Sequence, residues 1–259
     1  SWKKYRQGVI GPLLVHILNI PEIEEGRAVR ACDGIITVCD ENTDRICRSF
    51  SFPVDDTVVV HNTPRKNAYD TVRHGSTSPP VVFSYQGWIT RERGVERLVR
   101  AFAKADEKET KLLIAGGGES MEDVRREIRA SGSADRIDLL GEFDSSQLPM
   151  ILSQTDIGVL PFDQDEFRHH TIPNKLFDYM AGGKPVIVSN CAPLARIVNE
   201  TGCGIVVDVN DPEQLSRALQ NIRRDDVKYM SENGRMAAQT KYHWEQDAHH
   251  LLRYVETRL

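Results

Sequence analysis

Short apolar, β-branched runs alternate with amphipathic stretches from Gly34 to the end of the chain. Gly34-Ile35-Ile36-Thr37-Val38 has the composition of a strand, Glu41 to Phe50 the spacing of a helix, and Thr57-Val58-Val59-Val60-His61 that of a second strand. The stretch from Asn62 to Pro80 is polar, aperiodic and rich in Pro, Ser, Thr and Asn, which predicts a connection between domains. The alternation then resumes, with strands expected at Val81–Tyr85, Lys111–Ala115, Arg136–Leu140, Asp156–Leu160, Pro185–Ser189 and Gly204–Val207. Helical patterns such as Val95-Leu98-Val99-Phe102 and Leu215-Ala218-Leu219-Ile222 separate them.

Near-continuous apolar strands between amphipathic helices imply a parallel sheet covered on both faces, so the predicted fold class is α/β, doubly wound. The stretch before the linker offers only two strands, fewer than the four to six or so of an independent sheet, and reads as the tail of another Rossmann-like domain. The expected boundaries are 1–64 for that tail, 65–80 for the linker and 81–240 for the complete domain. A last helix, 241–259, opens at Tyr242-His243-Trp244-Glu245 and is expected to return toward the first domain.

Composition narrows the function classes. The 259 residues are 40% hydrophobic and 27% charged, enough for a sizeable core and incompatible with disorder. The net charge of −5 is interspersed, which argues against a nucleic-acid partner. Five cysteines without CxxC spacing fit reduced thiols of a cytoplasmic protein. The longest apolar stretch, Val9 to Ile20, is broken by Pro12, His16 and Asn19 and falls short of the roughly 20 residues that cross a bilayer. Lys3, Lys4 and Arg6 beside Trp2 and Tyr5 leave open a peripheral contact at the inner face of the membrane, although three charges make a thin cluster. The first residue is not Met, and the chain reads as a fragment.

In open parallel sheets ligands bind beyond the carboxyl ends of the strands, so the loops there carry the candidate chemistry. In Tyr85-Gln86-Gly87-Trp88-Ile89-Thr90-Arg91-Glu92-Arg93-Gly94, a glycine that admits close approach precedes basic side chains, and a tight turn with solvated arginines is the equal alternative. Gly116-Gly117-Gly118 lacks both GxGxxG spacing and a Walker lysine, and a plain turn is the favoured reading. In the third loop, Thr171 is expected to cap a helix with Pro173 in its first turn, stopped by Gly182-Gly183. The amides around Asn174 and Lys175 then form a positive helix terminus suited to phosphate, and Asp178, four residues on, can accept from a ribose hydroxyl. Asp163, Asp165, His169 and His170 lack the spacing of HExxH or paired CxxC sites, so no metal is expected.

The serial order of the Gly87 loop, Leu112-Leu113-Ile114-Ala115-Gly116-Gly117-Gly118, Ile137-Asp138-Leu139-Leu140-Gly141-Glu142-Phe143, Thr155-Asp156-Ile157-Gly158-Val159-Leu160-Pro161 and Pro173-Asn174-Lys175-Leu176-Phe177-Asp178-Tyr179-Met180-Ala181-Gly182-Gly183-Lys184-Pro185-Val186 resembles the carboxyl-terminal domain of retaining GT-B glycosyltransferases, glycosyltransferase family four. Ala31 to Val38 and Val59-Val60-His61-Asn62 resemble the end of that family's first domain. The resemblance implies a GT-B-like fold lacking the front of its first, acceptor-holding domain, and a chain that binds donor but transfers no sugar alone. It implies a nucleotide-sugar donor that is a substrate rather than a cofactor, and a glycan or lipid-linked acceptor in polysaccharide biosynthesis. By resemblance, Gly87 and Arg93 flank the diphosphate, the backbone around Phe143 meets the base, Asn174 and Lys175 hold phosphate oxygens, and Asp178 takes the ribose. Asp178 and His170 stand where the family's paired glutamates do, making them the catalytic candidates. Three positions depart from the family: Trp88 replaces an arginine, Arg93 stands where lysine is common but still supplies a cation, and His170 replaces an acid near the donor sugar. Trp88 and His170 keep open a non-catalytic nucleotide-sugar-binding protein and, less favoured, a sugar-nucleotide epimerase.

Overall fold

The computed structural model describes residues 20–72, 80–105, 108–222 and 224–258. Trp2 to Arg6, most of the Val9 to Ile20 stretch, and residues 73–79 of the expected linker lie outside them.

Helix α1 (Ile20–Arg30) leads into strand β1 (Ile35–Thr37), helix α2 (Asp40–Phe50) and strand β2 (Thr57–Val59). The two strands pair in parallel, Ile35 opposite Thr57. The pattern does not announce α1, whose charged residues leave no clear apolar stripe and which contains Gly26. Its glycine lies against the ring of Phe50, 3.0 Å from where a Cβ would stand.

The larger sheet consists of β3 (Val81–Gln86), β4 (Thr110–Ala115), β5 (Ile137–Gly141), β6 (Ile157–Leu160), β7 (Val186–Ser189) and β8 (Gly204–Val207). All pairings are parallel, in the spatial order β5-β4-β3-β6-β7-β8, so the order reverses between the central strands β3 and β6. Every residue of β6 and β7 is buried, which is why their sequences are continuously apolar rather than alternating. Helices α3 (Val95–Ala105), α4 (Met121–Ala130), α5 (Leu148–Ser153), α6 (Asn174–Ala181), α7 (Ala192–Thr201) and α8 (Pro212–Asn221) connect the strands. The six-stranded parallel sheet and its helices form the doubly wound α/β fold expected from the alternation.

Helix α6 is pinned to the centre of this sheet. Tyr179, fully buried, donates from its hydroxyl to the carbonyl of Ser84 at 3.1 Å, and its ring lies where a Cβ on Gly158 would stand. Glycine at that position of β6 is what lets the helix approach.

The chain crosses between the two sheets twice. The first crossing follows β2. Within the stretch read as a linker, Val72 is buried in the large core and Tyr69 packs against it, so those residues are fixed in place rather than spacing two bodies. The second crossing follows α9 (Arg224–Thr240), which packs against α6, and leads into α10 (Trp244–Glu256), which packs against β2. The crossings run side by side. The Trp244 amide donates to the Pro64 carbonyl at 2.9 Å, the His61 and Tyr242 rings meet edge to face, and Asp247 bonds both His61 and Thr63. Away from them, Arg196 of α7 pairs with Asp40 and Glu41 of α2. Among the described residues no helix is long and apolar enough to cross a membrane, and the five cysteines are free.

Candidate functional site

The reversal of strand order between β3 and β6 opens a crevice at their carboxyl ends, where the loops after them diverge. The first loop begins at Gly87, whose φ of 108° lies in the region that favours glycine. A Cβ there would meet the Lys175 ammonium at 2.4 Å, so the glycine also makes room for that side chain. The loop is held from below: the Gly87 amide donates to the Ala115 carbonyl, that of Ile89 to Gly117, and the Tyr85 hydroxyl to the Trp88 carbonyl at 2.6 Å.

Those partners show that the glycine-rich loop after β4, read from the sequence as a plain turn, belongs to the same crevice. Gly116 approaches so closely that a Cβ would lie 1.9 Å from the Gly87 carbonyl oxygen. A cavity of about 210 Å³ is lined by Gly87, Trp88, Gly116, Gly117, Glu142 and Phe143. The structure therefore brings Phe143 and Gly87 together, and Trp88 presents an indole that is 60% exposed.

The third wall is the start of α6. Pro173 is the N-cap with extended backbone, and no side chain caps the helix, so Thr171 does not have the capping role the sequence suggested. A proline at N-cap fixes the entry angle without supplying an acceptor, leaving the first amides uncapped by any side chain. Asn174 is exposed at this terminus. Lys175 turns over the Tyr85 ring, its ammonium 4.9 Å from the ring centre and 3.4 Å from the hydroxyl. Arg93 stacks on the opposite aromatic wall, 4.8 Å from the centre of the Phe162 ring. Burial, reinforced by the nearby Arg93 charge and opposed by Asp178, pulls the Lys175 pKa down to about 7.

Asp178 lies one turn further along α6. Burial pushes its pKa up to about 6, against the opposing effects of Tyr69, Gln86 and Lys175. The Tyr69 hydroxyl donates to Asp178 Oδ1 at 2.8 Å. Gln86, 3% exposed, is near enough to favour the carboxylate, yet its buried Nε2 meets no acceptor at hydrogen-bonding geometry. Tyr85 and Gln86 lie in the first candidate loop without a role assigned from the sequence, whereas Tyr69 and Phe162 are site residues that sequence reasoning missed. Phe162 follows the apolar run of β6 and reads as core, and Tyr69 sits in a stretch with no periodicity.

His170 is placed differently from the rest. Its Nδ1 lies 2.9 Å from the Glu166 carbonyl and 3.5 Å from a Glu166 carboxylate oxygen, turned onto its own loop, and it makes no hydrogen bond or ion pair with Lys175 or Asp178. The neighbouring residues once weighed as metal ligands are otherwise engaged. Asp163 pairs with Arg97, Asp165 with Arg168, and the His169 ring accepts from the Ala192 amide at the start of α7. Among the described residues no group of three such side chains is placed to hold a metal ion.

The arrangement offers a cation pair, a glycine floor held by backbone hydrogen bonds and a carboxylate within one crevice. The sequence of residues 80–225 matches the model of the glycosyl transferases group 1 family. The chain belongs to that family. Among relatives of this glycosyltransferase-family chain, an uncharacterized glycosyltransferase of Methanocaldococcus jannaschii is 24% identical over 82% of the chain and 56% of its own length. The alpha-D-kanosaminyltransferase of Streptomyces kanamyceticus is 23% identical over 84% of the chain and 58% of its own length. The chain thus spans somewhat more than half the length of these relatives. Among solved structures, sucrose-phosphate synthase from Thermosynechococcus elongatus superposes with a TM-score of 0.75 at 21% identity, covering 93% of this chain and 62% of that one. Anabaena HepE in complex with UDP superposes with the same score, 0.75, at 13% identity, covering 87% and 64%. These likenesses establish the GT-B-like parallel α/β fold.

Proposed function

We propose that the protein is a glycosyltransferase that moves a sugar from a nucleotide-sugar donor to a glycan or lipid-linked acceptor with retention of anomeric configuration. The observation that carries this reading is the pairing of Lys175 and Arg93 on aromatic walls beside Gly87. Two cations held close together against their mutual repulsion, one of them half-buried, suit a multiply charged anion such as a diphosphate. HepE, of the same fold, was solved with UDP and with UDP-glucose, which supports a nucleoside diphosphate as the class of ligand.

In this reading the glycine floor admits the diphosphate to the backbone, the amides opening α6 meet its oxygens, and Lys175 and Arg93 neutralise charge as the sugar–phosphate bond breaks. These donors are positioned before the reaction, so the growing charge on the leaving diphosphate meets no reorganisation cost. Phe143 and Trp88 flank the space for the base, and Asp178 accepts from the ribose. His170, turned onto Glu166, is assigned no step; a role at the donor sugar requires its ring to rotate away from that carbonyl.

Lys175→Ala tests the site. It should weaken binding of UDP, GDP or ADP, whichever binds, by about 10- to 100-fold, the equivalent of about 1.5–3 kcal/mol for a hydrogen bond to a charged group, and leave the matching nucleoside unaffected. EDTA should change neither affinity. Equal losses for nucleoside and diphosphate would refute the assignment. The anomeric configuration of the product, read by NMR with the natural acceptor, tests retention.

A further inference from the structure

The Asp178 carboxylate is served by a residue that lies outside the family's matched segment. Tyr69 belongs to the first crossing between the sheets, its ring packs against the large core, and its hydroxyl reaches Asp178 Oδ1 at 2.8 Å. The crossing is tied down around it. The Val72 amide bonds the Tyr69 carbonyl, Val72 itself is buried, and Asp70 lies 3.9 Å from Arg235 of α9. A tyrosine hydroxyl has one proton to donate, and here it goes to the carboxylate. With Oδ1 held by the tyrosine, the carboxylate cannot turn freely, and it keeps further lone pairs for a ligand.

We propose that Tyr69 is a positioning residue for ribose recognition: it fixes the Asp178 carboxylate in its ionised, hydrogen-bond-accepting form, so that the crossing segment controls how the nucleotide's hydroxyls are read. This rests on the reading of Asp178 as the ribose acceptor. The groups facing Asp178 are Lys175 from its own helix, Tyr69 from the crossing, and Gln86 from β3, and all three favour its charge. Burial alone opposes it. A ribose hydroxyl needs an acceptor, and a protonated carboxyl in this crevice is a poorer one. Removing the Tyr69 hydroxyl therefore lets the proton return at a higher pH.

The experiment measures binding of UDP, GDP and ADP, each beside its 2′,3′-dideoxy form, from about pH 5 to about pH 8 in the wild type, Tyr69→Phe, Asp178→Asn and the double variant. The wild type should prefer the ribose form and lose that preference as the pH falls through about 6. In Tyr69→Phe the loss should set in at a higher pH. Near pH 6 the ribose preference should fall by about fivefold and recover on the alkaline side, with dideoxy affinity unchanged. Asp178→Asn should abolish the ribose preference and its pH dependence, and Tyr69→Phe should add nothing in that background. A loss in Tyr69→Phe that is equal at every pH, or equal for ribose and dideoxy forms, would mean packing alone and overturn the proposal; so would an unchanged profile. A wild type blind to the ribose, or an Asp178→Asn variant that keeps the preference, would instead overturn the ribose reading on which it stands.

Discussion

The two ends of the large sheet each bury a lysine beside an aspartate, and they use the pair oppositely. At the amino ends of the strands, Lys184, 1% exposed, faces Asp156, whose charge partly offsets the burial that pulls the lysine pKa down to about 8. Asp156 in turn accepts from the Val82 amide at 2.8 Å, while its own amide donates to the Val82 carbonyl. That end is closed: opposite charges meet and the backbone completes them. At the carboxyl ends, Lys175 faces a second cation, Arg93, and Asp178 turns its bonded oxygen toward a tyrosine. This end brings two cations to one carboxylate, which opposes but does not outweigh the burial and the Arg93 charge acting on Lys175. Burial is common to both; what separates a structural ion pair from a ligand site is whether the charges cancel.

The contrast can be tested through stability as well as binding. Lys184→Ala should have the largest effect, a loss of about 3 kcal/mol in unfolding free energy from an uncompensated Asp156 and a cavity, with nucleotide affinity intact. Calorimetric unfolding beside a binding isotherm checks it, and a weakened nucleotide site would break the separation of the two ends. Lys175→Met should do the reverse. Because the folded protein holds Lys175 near pKa 7, below its unfolded value of 10.5, the folded state binds fewer protons than the unfolded one between those values. Its contribution to stability is thus full above the unfolded pKa and declines as the pH falls through the folded one. At pH 7 the substitution should raise stability by about 1 kcal/mol, discounted for partial exposure, while binding falls.

The smallest effect concerns pH in the wild type. Nucleoside diphosphate binding uses charged Lys175 for the diphosphate, favoured below about 7, and ionised Asp178 for the ribose, favoured above about 6. Affinity should therefore be greatest between those values and decline on both sides, on the alkaline limb for diphosphate itself and on the acid limb only for ligands with a ribose. A flat profile across that range would show that the two groups do not carry the binding.

Much of this was legible in the sequence because the information is local. Continuous β-branched runs such as Val186-Ile187-Val188, opened by Pro185, read as strands covered on both faces, and Gly182-Gly183 marks the end of α6. Gly87, Arg93, Phe143, Asn174, Lys175 and Asp178 fall on loops or helix starts after strands, where a parallel sheet puts its ligands. Contacts between distant segments were not legible. Gly116-Gly117-Gly118 matches no phosphate motif because its glycines serve close backbone packing on Gly87, a property of the neighbour rather than of the loop. Tyr69 lies 109 residues from Asp178 in a stretch without periodicity, and no local rule foretells their bond. Thr171 had the composition of a cap, but Pro173 took the position.

The two side-by-side crossings have a mechanical consequence. Two strands of chain are bonded along one line, at Trp244 to Pro64 and Asp247 to His61, and off that line the small sheet is also anchored by Cys39, which is fully buried in the large core. Arg196 with Asp40 and Glu41 stands off the line and acts as a latch. Rising ionic strength should therefore screen the exposed Asp40 arm of the latch, while the Glu41 arm and the Cys39 anchorage, both shielded from solvent, stay in place.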